Sequence, residues 1–169
     1  PLFKVEVPEG KHLVDLWNHK ELNPELIDGF QYAPVNTEAF HSSFLGTNNE
    51  GAVGAIAVFP VILEADITGD QLSFKAGSGD LIKVWAGIPD YEKKSLEFSP
   101  GAHTISLYEN FGRFEGNFIV QVFDDGELLD ERVLYVKPGT PRLISRSETT
   151  INSGKTPKGM VVIPAGDFV

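Results

Sequence analysis

From residue 70 onward, apolar and polar positions alternate with a period of two. Leu72, Phe74 and Ala76 fall on one face of an extended segment, with Gln71, Ser73 and Lys75 on the other, the pattern of a half-buried strand. After Ala76-Gly77-Ser78-Gly79 the run from Asp80 to Ala86 repeats it. Residues 70–86 therefore predict two neighbouring antiparallel strands, the glycines supplying the positive φ of the turn. Ser99-Pro100-Gly101 marks another turn, between strands at Ser95 to Phe98 and Ala102 to Tyr108. The strongest local signal is Asp124-Asp125-Gly126 between the β-rich runs Asn117 to Phe123 and Glu127 to Val136, a hairpin. Gly51 to Thr68 reads as two strands meeting near Phe59-Pro60, where proline cannot donate to a central ladder and implies an edge or irregularity.

The first fifty residues are less regular. Leu13 to Trp17 predicts the start of one short helix, and Asn23-Pro24-Glu25-Leu26-Ile27 the start of another, since Asn caps and Pro suits the first turn. Neither changes the class. Short strands at intervals of about 8 to 12 residues with turn chemistry between them indicate an all-β chain. The expected architecture is an antiparallel β-sandwich, immunoglobulin-like or jelly-roll, with an irregular N-terminal segment. It occupies residues 1–137. Residues 138–158 are poor in apolar side chains and rich in turn formers, an interdomain linker with one short strand expected at Arg142 to Ile144.

Composition narrows the partners. The chain has 169 residues, 41% of them apolar, enough for a core. Its net charge of -10, from 24 acidic and 14 basic residues, opposes phosphate backbones and anionic headgroups, so no nucleic-acid partner is expected. The longest apolar stretch, Ala52 to Leu63, is broken by Gly54 and Pro60 and falls short of the roughly 18 residues of a membrane helix. It predicts buried strand and no membrane insertion. The absence of cysteine excludes disulfides, thiolate zinc sites and a cysteine nucleophile within these residues. An opening Pro1-Leu2-Phe3, without Met or a basic-then-apolar leader, is expected of a mature or excised piece.

Signals for chemistry are sparse. There is no Gly-x-Ser-x-Gly elbow and no glycine-rich phosphate loop. His12, His19, His41 and His103 are scattered, and His103 alternates with Ile105 as a strand residue. The acids from Asp66 to Asp70 and at Asp124-Asp125 fit no calcium-loop spacing. No catalytic residue, metal or cofactor is expected. Ligand binding is the better prospect, because sandwich modules stack aromatic faces on sugar rings beside a few polar groups. Of Trp17, Tyr32, Trp85, Tyr91, Tyr108, Phe111 and Phe114, the candidates are Trp85, Tyr91 and Tyr108, together with Arg113. Trp85, between Val84 and Ala86 in a strand, suits packing within the sheet better than a binding role. Tyr91 lies in the loop 88–94, where binding groups concentrate. The Tyr108 to Asn117 segment suits a sugar or protein contact, or a loop pinned by its own Phe side chains.

The final stretch, Gly159-Met160-Val161-Val162-Ile163-Pro164-Ala165-Gly166-Asp167-Phe168, resembles the opening of the formylglycine-generating enzyme (sulfatase-modifying factor) family domain. There a Gly-Met-Val-x-Ile-Pro-x-Gly-x-Phe pattern introduces the catalytic domain. The resemblance covers residues 159–168 alone, and a last sandwich strand at Met160 to Ile163 is the alternative. It implies that residues 159–169 are the truncated start of such a domain, and it is compatible with an exported bacterial protein. The family's catalytic groups, paired copper-binding cysteines in one branch and iron ligands in another, lie far downstream, so no catalytic residue is carried over. The expected function is a noncatalytic accessory module that holds a protein or glycan partner near the downstream domain of the same protein. The alternative is a carbohydrate-binding module, with Trp85, Tyr91 and Tyr108 exposed on one face.

Overall fold

The computed structural model of the chain describes residues 2–34, 56–90, 92–143, 154–156 and 158–161. Its strands are β1 (Leu2–Val5), β2 (Lys11–Asp15), β3 (Lys20–Leu22), β4 (Glu25–Ile27), β5 (Phe30–Pro34), β6 (Ile56–Pro60), β7 (Leu63–Thr68), β8 (Gln71–Ala76), β9 (Leu81–Ala86), β10 (Leu96–Phe98), β11 (Gly101–Ser106), β12 (Gly116–Asp124) and β13 (Glu127–Val136). One short helix, α1 (Leu107–Phe111), follows β11. The chain is all-β, built from several antiparallel sheets. Among the described residues no helix is long and apolar enough to cross a membrane.

The alternation in β8 is carried into space as read: Leu72, Phe74 and Ala76 are buried while Gln71, Ser73 and Lys75 are exposed. β8 is the middle strand of the sheet β11-β8-β7, and a second sheet has the order β10-β9-β12-β13. The two share one core. Leu63, Leu72, Phe74 and Ala76 come from the first, Ile82, Val84, Phe118, Val120, Val122 and Val136 from the second, and Leu107 from α1. Phe111 and Phe114 close one end by packing edge-on against Phe118 at 5.6 and 5.3 Å. The segment after Tyr108 is thus pinned by its own phenylalanines, although Leu107 and Tyr108 begin the helix α1 and do not continue β11. His103 packs as a strand residue, stacked on Phe74 at 5.3 Å.

The β12–β13 hairpin forms as expected, with Asp125 and Gly126 at φ 48° and 83°. Residues 70–86 do form two strands, but they are not partners: β8 pairs with β7 and β11, β9 with β10 and β12. Gly77-Ser78-Gly79 carries the chain from one sheet to the other. A Cβ on Gly79, at φ 96°, would stand 2.6 Å from the Phe123 carbonyl oxygen and from Val122 Cγ1, so the crossing presses against β12. The strands around Ser99-Pro100-Gly101, β10 and β11, likewise belong to different sheets, as do β6 and β7.

Within residues 2–34 the expectation of an irregular N-terminal segment is corrected, while residues 35–50 lie outside the described set. Residues 2–34 contribute five strands to the sheets β1-β5-β4 and β3-β2-β6, the latter completed by β6. A small core of Leu13, Leu22 and Ala33, flanked by Val5, Val7 and Ile56, holds them. No helix starts at Leu13. Leu13 and Val14 are both buried, so this strand is covered on two sides. Asp15 then closes the turn to β3 by accepting from the backbone N–H of Trp17 and Asn18 and from the Asn18 amide. Nor does one start at Asn23: Asp28 and Gly29, at φ 51° and 80°, make a tight turn pairing Ile27 with Phe30.

Past β13, Pro141 to Leu143 form no strand, and Ile144 lies outside the described residues. The start of this stretch is tied back to the sheets, with Gly139 N–H donating to Glu115 Oε1 and Arg142 to the Phe114 carbonyl. In the segment carrying the family resemblance, Met160 and Val161 are exposed, and residues 162–169 lie outside the described set.

Candidate functional site

β13 is the outermost strand of its sheet, and an open edge must be covered, charged or bent. Opposite the Val122–Phe123 junction the register shifts, leaving Leu129 without a partner. This is a bulge, a device that re-aims side chains. Asp130 and Glu131 follow it, both fully buried. As successive strand residues they point to opposite faces of the sheet, and a histidine from the N-terminal sheets reaches each one.

On the core side, Asp130 accepts four hydrogen bonds: His12 Nε2 at 2.5 Å, its neighbour's backbone N–H at 2.7 Å, and the Leu63 and Ile62 N–H groups at 2.9 and 3.1 Å. Arg132 Nη1 lies 3.3 Å from His12 Nδ1 and 3.1 Å from Glu21 Oε1. Guanidinium nitrogens only donate, so His12 Nδ1 is the acceptor and the ring proton sits on Nε2, facing Asp130. Arg132 Nε also donates to the Leu63 carbonyl at 2.8 Å. Arg132 is paired with Glu21, and the buried Asp130 carboxylate is hydrogen-bonded at both oxygens, the condition for burying it.

On the outer side, a single row crosses three strands. Trp85 Nε1 donates to Gln121 Oε1 at 2.9 Å, Gln121 Nε2 donates to Glu131 Oε2 at 2.7 Å, and Glu131 Oε1 meets His19 Nδ1 at 2.9 Å. The row has one consequence for binding. It fixes the Trp85 indole along the sheet, held by a bond towards β12, half-buried and with its edge satisfied. Beside it opens a cleft of about 700 Å³ lined by Lys83, Trp85, Pro89, Lys93, Lys94 and Glu97 among others. A rigid aromatic surface next to ammonium and carboxylate groups can stack a flat apolar face while hydrogen-bonding polar groups around it.

The sequence candidates divide between two places. Tyr108 and Arg113 line a second, smaller cleft of about 210 Å³ with Glu115, Thr140 and Arg142, which shares no residue with the cleft at Trp85. Tyr91 lies outside the described residues. In the smaller cleft Arg142 faces a carboxylate. Arg142 Nη1, the one buried side-chain polar atom without a hydrogen-bond partner among the described residues, stands 3.7 Å from Asp70 Oδ1. Asp70 itself accepts from Ser106 Oγ and from the Tyr108 N–H.

Sequence reasoning passed over Lys83, Lys93, Lys94, Gln121 and Glu131, and named His19 only among four scattered histidines. Two signals were present: Lys83 is two residues from Trp85, hence on its face of the strand, and Asp130-Glu131 interrupts a strand otherwise rich in apolar residues. Nothing in the sequence joins His19 to Glu131, which are 112 positions apart. Among the described residues, no group of three or more His, Asp or Glu is arranged to hold a metal ion. No protein-family model matches the chain, and neither a curated protein nor a solved structure matches it.

Proposed function

We propose that the chain is a noncatalytic accessory module, an immunoglobulin-like β-sandwich that holds a partner close to a formylglycine-generating-enzyme-like domain following it. The strand orders β11-β8-β7 and β10-β9-β12-β13, with the chain crossing between sheets after β8, β10 and β11, support the immunoglobulin-like assignment. The resemblance of residues 159–168 supports the neighbour. The observation that carries the binding role is the Trp85 indole, fixed by Gln121 at the wall of an open cleft. Rigid sheets that present such a surface are the usual foundation of a binding site.

The same observation favours the second reading, a carbohydrate-binding module, because an anchored indole beside polar groups is what pyranose rings stack on. A glycan array probed with the chain and its Trp85→Ala variant separates the two, near- and far-ultraviolet circular dichroism showing that the variant remains folded. Glycan signals that vanish with Trp85→Ala assign the cleft to sugars. An array with no signal from the folded chain removes the sugar reading and leaves a protein partner. Signals that survive the substitution remove the cleft from either role.

A further inference from the structure

The cleft at Trp85 is lined by three lysines and two acids, Asp90 and Glu97, a small positive excess in a protein that is otherwise acidic. Against a net charge of -10 and a total of 14 basic residues, Lys83, Lys93 and Lys94 all line this one space. Their charges are unequally engaged. Lys83 Nζ faces Glu97 at 3.5 Å. Lys93 is exposed, and its Nζ makes one long contact, 3.5 Å to the Ile88 carbonyl. Lys94 is exposed and makes no ion pair among the described residues. Two ammonium groups are thus available to a ligand at the rim, beside an indole that is not free to move.

We infer that this cleft binds an acidic saccharide, a short chain of uronic-acid rings whose apolar face lies on Trp85 and whose carboxylates meet Lys93 and Lys94. The inference rests on the carbohydrate-binding reading and narrows its ligand. Size agrees, since about 700 Å³ falls within the roughly 300–1,000 Å³ of small-molecule sites. The remaining groups argue for a sugar over an acidic peptide. Asp90, Glu97 and Ser95 also line the cleft. Carboxylates accept from sugar hydroxyls, whereas they repel acidic side chains that bring no donors of their own. The overall negative field works against a dense polyanion such as nucleic acid, and a ligand with one charge per ring and several hydroxyls suits both the lysines and the acids.

Isothermal titration calorimetry of the full 169-residue chain with trigalacturonic acid, maltotriose and triglutamate tests this. The Lys93→Gln/Lys94→Gln variant changes only exposed side chains and keeps the fold. Trigalacturonic acid should bind, with affinity that falls as salt is raised, and the double variant should weaken it about fivefold to tenfold, the sum of two exposed ion pairs. Maltotriose should bind more weakly and be indifferent to the substitutions. Maltotriose binding as tightly as trigalacturonic acid would overturn the acidic ligand while leaving the sugar reading intact. Binding of neither saccharide would end both. Triglutamate binding with the same lysine dependence would make the ligand a peptide, and trigalacturonic acid binding untouched by the double variant would put its site elsewhere.

Discussion

Replacing Asp130 by Asn changes one atom and should cost a large part of the stability of this protein. One Asp130 oxygen accepts from His12 Nε2 and the Glu131 N–H, the other from the Ile62 and Leu63 N–H groups. An amide in its place must turn its NH₂ towards one of those pairs, so two buried donors face a donor whichever way it is oriented. His12 cannot adapt by moving its proton to Nδ1, because Arg132 Nη1 donates there. Each unsatisfied buried donor costs about 1–3 kcal/mol, which sums to about 4 kcal/mol. Against a total of about 5–15 kcal/mol for an ordinary domain, that is severe. Urea unfolding followed by fluorescence should show a much lower midpoint with an unchanged slope. The cycle with His12→Ala should give a coupling of about 1–3 kcal/mol. A loss below about 1 kcal/mol for Asp130→Asn would mean that the carboxylate is not the bond between β13 and the strands around it.

Gly79→Ala and Gly126→Ala both place a side chain at positive φ, but only the former meets neighbouring atoms, while Gly126 faces open space. Gly79→Ala should therefore cost about 3 kcal/mol or more, from strain and overpacking together, and Gly126→Ala about 1 kcal/mol; equal costs in urea unfolding would contradict the close approach of the crossing to β12. Gln121→Leu removes the acceptor of Trp85 Nε1 and the donor to Glu131. It should destabilise by about 2–3 kcal/mol and move the Trp85 indole N–H resonance upfield in a ¹H–¹⁵N spectrum, so an unmoved resonance would show that the row does not hold the ring.

How much of this was legible depended on the range of the interaction. β8, β9, β12 and β13 were readable because alternation along a strand records which face is buried, and Asp125-Gly126 was readable because a tight turn is chosen by the backbone freedom of its own residues. The same signal at Asp28-Gly29 marks the β4–β5 turn, yet the Asn23-Pro24 sequence before it resembles a helix start. Local preference there was overridden by strand pairing on both sides of Gln31. At the candidate site, Trp85 could be singled out from its residue type and Lys83 from its spacing. Gln121, Glu131 and His19 could not, since each matters only through a partner on another strand.

Sequence alone determined that this chain is built of strands, where several of them turn, and that it has no cysteine chemistry and a negative overall field. Tertiary structure decided which strands are neighbours, because a glycine-rich turn specifies a change of direction but not whether the next strand joins the same sheet or crosses to the other. It also decided that Asp130 and Glu131 are buried beside His12 and His19. Burying a charge is tolerable only where partners converge on it, and that convergence exists only once the chain has folded.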